Sequence, residues 1–312
     1  MMLRPALLSF RMQRFETLII VGATLISVAV SAVTIWLFSS GGYADCFSSS
    51  GPVFSSLCQS SMATWLDRLL RASTSLVPIF PIVAGLLAGG PIVARELETG
   101  TARLAWSLGP SRLRWFAQRA VPILAMAGLA GLAIGLTSGA LLHQLAPATD
   151  LDQSFMGFRN RGPFVAVEAL GVAAVALAIG AILGRTIPTL VLTLILVGAL
   201  SAAIDKVDRT LLLNDSVIAS GETFSWDNDL YLESRVKFPN GEVLTYEEAY
   251  QTHPEVQMGW DGNGPPPFED VVVSIPGARY HEIELRESVA VGALAVVFVA
   301  LAAFAVARRR PR

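Results

Sequence analysis

The sequence predicts an all-α membrane protein. It should have six transmembrane helices, an N-terminal interfacial helix, and a small α+β extracytoplasmic subdomain between helices 5 and 6. Three observations predict it. Six apolar stretches, uncharged except for Glu168, each approach the length needed to cross a bilayer. The loops between them alternate in charge sign, and the fifth loop is long, polar and rich in strand and turn signals. Roughly 20 apolar residues at about 1.5 Å rise span the hydrocarbon core. Backbone amides in lipid must bond within their own segment, so each stretch is read as a helix.

The stretches are Leu18–Phe38, Ala72–Ala94, Ala120–Leu142, Pro163–Leu183, Thr186–Ile204 and Ser288–Ala307. Apolar residues make up 53% of the chain and charged ones 15%, which is more apolar and far less charged than soluble domains. The net charge of −2 hides a partition: residues 205–287 hold 17 Asp/Glu against 6 Lys/Arg. Arg outnumbers Lys by 21 to 2, a bias that suggests a GC-rich bacterium. Inner loops collect basic residues. Arg4, Arg11 and Arg14 precede span one, and Arg95, Arg103, Arg112, Arg114 and Arg119 lie between spans two and three. Arg185 separates spans four and five, and Arg308, Arg309, Arg310 and Arg312 follow span six. Both termini are therefore expected in the cytoplasm of a multi-pass protein of the bacterial cell membrane. Trp36 outside, with Trp106 and Trp115 inside, suits interfacial anchoring.

Taken in order, residues 1–16 form the interfacial helix, with Arg4, Arg11 and Arg14 on one arc. A cleaved signal peptide is the competing reading of this end. The 21-residue apolar run exceeds the usual h-region and no small-x-small site follows it cleanly. Spans one to five occupy 17–204. The outer loop 39–71 holds the two cysteines, Cys46 and Cys58. Outside the cytosol a disulfide persists, and a bridge is favoured over two free thiols. Ser61–Arg71 has helical spacing and is expected along the outer interface. In the acidic subdomain, 205–287, Arg235–Phe238 and Glu242–Leu244 flank Pro239-Asn240-Gly241, a hairpin signal. Thr245-Tyr246-Glu247-Glu248 is a capping box, and Pro265-Pro266-Pro267 breaks regular structure. The acidity suits either a bound cation or a solvated face, the second being favoured. Span six and a basic tail complete the chain over 288–312.

The chemistry-bearing residues are few. His143, His253 and His281 show no metal-ligand spacing, so no metal site and no catalytic group is expected. No Gly-x-x-x-x-Gly-Lys-Ser/Thr occurs, so the chain is not itself an ATPase and binds no cofactor of its own. Glu168 is the single ionisable residue inside a span. It is a substrate-pathway candidate, or a shallow carboxylate that hydrates or pairs with Arg159 or Arg161. Gly131, Gly135 and Gly139 recur every four residues in span three, as do Gly180 and Gly184 at span four. They permit close helix contact, within the subunit in preference to a dimer seam.

The segment from Arg95 to Arg112 is the informative one. Arg95, Glu96 and Glu98 end a span, Gly100 breaks it, Thr101 to Leu108 forms a short helix that includes Arg103, and Pro110 with Ser111 restarts the chain. Read alone, it is a charged helical hairpin or an ordinary loop. The strings Gly100-Thr101-Ala102-Arg103-Leu104-Ala105-Trp106 and Ser111-Arg112-Leu113-Arg114-Trp115 resemble permease subunits of type-2 ATP-binding-cassette exporters, most closely an actinobacterial group. The resemblance covers the whole chain. It implies that 95–116 is the coupling segment, with Arg95, Glu96, Glu98, Gly100, Thr101 and Arg103 facing an ATPase subunit. It also implies a second permease half, lipid surroundings, ATP and Mg in the partner subunits, and export of a hydrophobic or amphipathic drug, lipid or peptide. No nucleic-acid partner is expected. The alternative is a non-transporting receptor whose outer subdomain binds a ligand.

Overall fold

The structure, a computed structural model, describes residues 14–46, 58–108, 111–147, 149–220, 223–253 and 268–309. The interfacial helix expected before Arg14 lies outside these residues, as do Pro110 and Pro265–Pro267. The chain divides into two compact units, the first comprising Met1–Ala148, Gly157–Leu200 and Glu284–Arg312, the second Thr149–Met156 and Ser201–Ile283.

The first unit is helical. Its elements are α1 (Arg14–Gly41), α2 (Ser61–Leu76), α3 (Ile79–Glu98), α4 (Thr101–Leu108), α5 (Arg112–Leu145) and α6 (Phe164–Leu183). It also takes the start of α7 (Thr186–Asp215) and most of α9 (Tyr280–Arg308). Six of these helices are long and apolar enough to cross a membrane: α1, α3, α5, α6, α7 and α9. This is a multi-pass membrane protein.

The second span begins later than the expected Ala72, because α2 runs on to Leu76 and α3 opens only at Ile79. Pro78 and Pro81 carry no N–H and cannot close the intervening turn. The helix read over Ser61–Arg71 is present, capped by the Ser60 hydroxyl, which accepts the Ala63 N–H at 3.2 Å. Cys46 and Cys58 are bridged, with their Cα atoms 5.3 Å apart.

α6 is apolar on every side and occupies the centre of this unit, burying Val172 through Ala181 almost without interruption. Such a helix has no face for water. Small residues let its neighbours approach. A Cβ on Gly131 of α5 would stand 2.8 Å from the Val165 carbonyl oxygen. The Gly135 carbonyl accepts the Gly162 N–H at 2.9 Å. These glycines therefore serve packing inside the chain. α1, α7 and α9 instead expose large apolar side chains, Leu18 at 71%, Ile187 at 75% and Val296 at 69%.

The second unit holds a four-stranded antiparallel sheet. Its strands are β1 (Val217–Ser220), β2 (Leu230–Lys237), β3 (Val243–Thr245) and β4 (Glu269–Ile275), in the order β1-β4-β2-β3. The hairpin expected around Asn240-Gly241 is β2–β3, pairing Arg235 with Thr245 and Lys237 with Val243. Its turn differs from the two-residue type. Phe238 O accepts the Gly241 N–H at 2.9 Å, and Gly241 alone has positive φ (+86°), the pattern of a type I turn closed by a glycine bulge. The capping box opens α8 (Tyr246–Thr252), with the Glu248 carboxylate accepting the Thr245 N–H at 3.0 Å. Val236, Phe238 and Ala249 form its small core. β1 and β4 were not foreseen, although Val271-Val272-Val273 between Asp270 and Pro276 carries a β-branched strand signal.

Candidate functional site

Arg95, Glu96, Glu98, Gly100, Thr101 and Arg103 lie together on a tight hairpin of α3 and α4. α3 ends because Gly100 takes φ +75°, a left-handed conformation that costs glycine nothing. The Thr99 N–H donates to Arg95 O at 2.9 Å and the Gly100 N–H to Leu97 O at 3.3 Å. Thr101 does not cap α4 through its side chain. Its hydroxyl turns back to Glu96 O at 3.3 Å and meets the Thr99 hydroxyl at 3.1 Å, closing α3 instead.

The two carboxylates do not brace Arg95 or Arg103. Glu96 is buried and takes the Arg119 Nε of α5 at 2.8 Å. Glu98 caps α7, accepting the Thr186 N–H at 2.9 Å and its hydroxyl at 2.8 Å. Arg95 lies 3.8 Å from Glu16 of α1, with its side chain mostly exposed. A surface pair of that sort is worth about 0–1 kcal/mol.

α4 is amphipathic. Ala102 is fully buried and joins Trp115, Phe116, Ile92 and Val93 in an apolar cluster, with Ala105 and Trp106 against it. Arg103 and Leu104 point outward, Leu104 at 62% exposure. Ser111 then caps α5 through its hydroxyl, as the sequence implies. Trp106 and Trp115 meet edge to face at 5.5 Å, with the Arg112 guanidinium 5.2 Å above Trp106 and that of Arg119 5.9 Å from Trp115. Arg112, Arg119 and Thr186 were not singled out for these roles from sequence. Arg119 was visible only as an inner-loop charge, and Arg112 only as such a charge and as part of a motif string.

Glu168 sits half-buried in the first part of α6. Nearby in the chain, Arg159 holds a positive φ of 65° and pairs side-on with Glu287 of α9 at 2.7 and 3.1 Å. Glu287 and Arg161 are both buried, each 6% exposed. The Arg159–Glu287 pair thus lies just before α6 in the chain, at the end of that helix away from Gly184. Among the described residues no group of three or more His, Cys, Asp or Glu could hold a metal ion.

Residues 17–209 match the family described as ABC-2 membrane transporter related. The chain belongs to that family. The match takes in the first five spans and the whole α3–α4 hairpin. ABC-2 permeases associate with ATPase partners. No curated protein and no solved structure matches the chain.

Proposed function

We propose that this ABC-2 permease is the membrane-spanning half of an ATP-driven exporter in a bacterial cell membrane. It pairs with a second six-span half and two ATPase subunits, and moves a hydrophobic or amphipathic compound outward. ATP and Mg belong to the partner subunits, since the chain has no P-loop. Both termini and the α3–α4 hairpin are cytoplasmic in this reading, and the acidic sheet-bearing unit is outside. The exposed apolar faces of α1, α7 and α9 suit lipid and the second half.

One observation carries the reading: α4 is a short helix that buries Ala102 while presenting Arg103 and Leu104. An exposed leucine beside a cation is a suitable plug for a groove on a partner, and Glu96 and Glu98 hold the hairpin from behind. Docking by the partner would displace the hairpin and shift the spans between inward- and outward-open populations. Glu168 remains the candidate on the substrate pathway.

The test is assembly. Leu104→Asp and Arg103→Glu should each insert in the membrane and retain the Cys46–Cys58 bridge while losing ATPase co-purification. Full co-purification and nucleotide-stimulated hydrolysis in both variants would mean that α4 is only a loop element.

A further inference from the structure

Resting on the exporter reading above, we propose that Glu98 and Arg112 are positioning residues that carry displacement of the α3–α4 hairpin separately to the fifth and sixth spans. The apolar cluster that seats Ala102 draws buried residues from α1, α3, α4, α5, α6 and α9, but none from α7. α7 packs mainly on α6, through Val197 against Val172, Val175 and Ile179, and through Leu190 beside Gly90 of α3. Its first turn is joined to the hairpin by Glu98, which accepts two hydrogen bonds from one residue, Thr186. Two bonds to adjacent donors fix direction as well as distance, and a carboxylate at a helix N-terminus is further favoured by the helix dipole.

The sixth span has a matching link at the opposite polarity. α9 ends at Arg308, so its last carbonyls lack helical partners. Arg112 Nη1 donates to Ala307 O at 3.1 Å and to Arg309 O at 2.5 Å. The same guanidinium lies over Trp106 of α4. Arg112 therefore touches the coupling helix with its face and the end of α9 with its edge. Beyond it, Arg309 Nη1 donates to Ala181 O at 2.8 Å, tying that end to the buried central helix α6. Packing transmits a push in any direction, whereas these bonds act at one helix end each. The hairpin thus has distinct handles on spans five and six.

The experiment uses the full chain in lipid nanodiscs, spin-labelled at Ser107→Cys with either Ile187→Cys or Leu301→Cys. The bridged native cysteines do not take the label. Pulsed electron spin resonance then reads the 107–187 and 107–301 distances. Glu98→Ala should broaden only the 107–187 distribution, and Arg112→Gln only the 107–301 distribution, with Arg112→Lys partly restoring the latter. In complex with the co-purified ATPase, trapping with ADP and vanadate should leave both distances unchanged in the parent chain. The affected distance alone should shift in each variant. A general folding defect would disturb both distances at once and overturn the proposal, as would variants indistinguishable from the parent. If no ATPase co-purifies, the exporter reading fails, and the distances in the chain alone still decide whether the two links exist.

Discussion

Glu96 and Glu98 are two residues apart and equally conspicuous in the sequence, yet they do different things. Helical geometry turns them to different sides of α3, so one meets Arg119 on α5 and the other the first residue of α7. Neither partner could be read from spacing, since one lies 23 residues away and the other 88. What the sequence showed was a dense charge cluster at a helix exit. What it hid was that the carboxylates would be satisfied within the chain, leaving Arg103 and Leu104 as the outward groups. The Glu96–Arg119 pair has side-chain exposures of only 9% and 14%. Glu96→Ala would leave a buried guanidinium without its carboxylate, a loss of about 3–5 kcal/mol. The double variant Glu96→Met with Arg119→Met removes both charges and is expected to lose less than Glu96→Ala alone. Unfolding in mixed micelles against SDS measures both, and a double variant worse than the single one would count against this account.

At the scale of elements, the glycine repeat of α5 was legible as a contact face, but not which glycines make the contact. That depends on where the partner backbone passes. A Cβ at Gly131 would meet the Val165 carbonyl oxygen and Ala166 Cα within 3 Å, whereas at Gly139 the nearest atom is Arg161 Cβ at 3.9 Å. Gly131→Ala should therefore cost about 1–3 kcal/mol through forced separation of α5 and α6. Gly139→Ala should stay within about 0.5 kcal/mol of the parent, by the same SDS measurement. The capping box of α8 was fully legible, because its residues are local. Its Glu248 carboxylate lies below its ordinary value, chiefly from the bonds it accepts from Thr245. Tyr246, next to it, is pushed up to about 12 by burial and then by Asp270. The signs set two limits. A lowered acid stabilises above its unfolded pKa and is lost as pH falls through the folded one; a raised phenol stabilises below its unfolded pKa and is lost as pH rises through the folded one. Hydrogen exchange across Tyr246–Thr252, corrected for intrinsic rates, should thus quicken below the ordinary glutamate range. Glu248→Gln should flatten that acid limb. A limb unchanged in Glu248→Gln would assign it to another carboxylate.

At the scale of the whole molecule, span count was readable because hydrocarbon thickness imposes one length on every crossing segment. Registers were readable only where the helix ended with the apolar run. α3 violates this, since the amphipathic α2 continues through Ala72 to Leu76 and the Pro78–Pro81 step defers the next helix. The sheet was half-visible for a related reason: β2 and β3 meet through a local turn, whereas β4 reaches β1 and β2 from across the unit. Charge is the remaining global signal. Thirteen Arg fall on the segments assigned inside, and residues 205–287 hold 17 acids. If translocation obeyed that partition, a thiol on exposed Gln251 of α8 and one on exposed Arg103 of α4 must lie on opposite sides of the membrane. In intact cells a membrane-impermeant maleimide should label Gln251→Cys at once and leave Arg103→Cys unlabelled until lysis. The reverse pattern would turn the molecule over, place the hairpin out of reach of any cytoplasmic ATPase, and end the exporter reading with it.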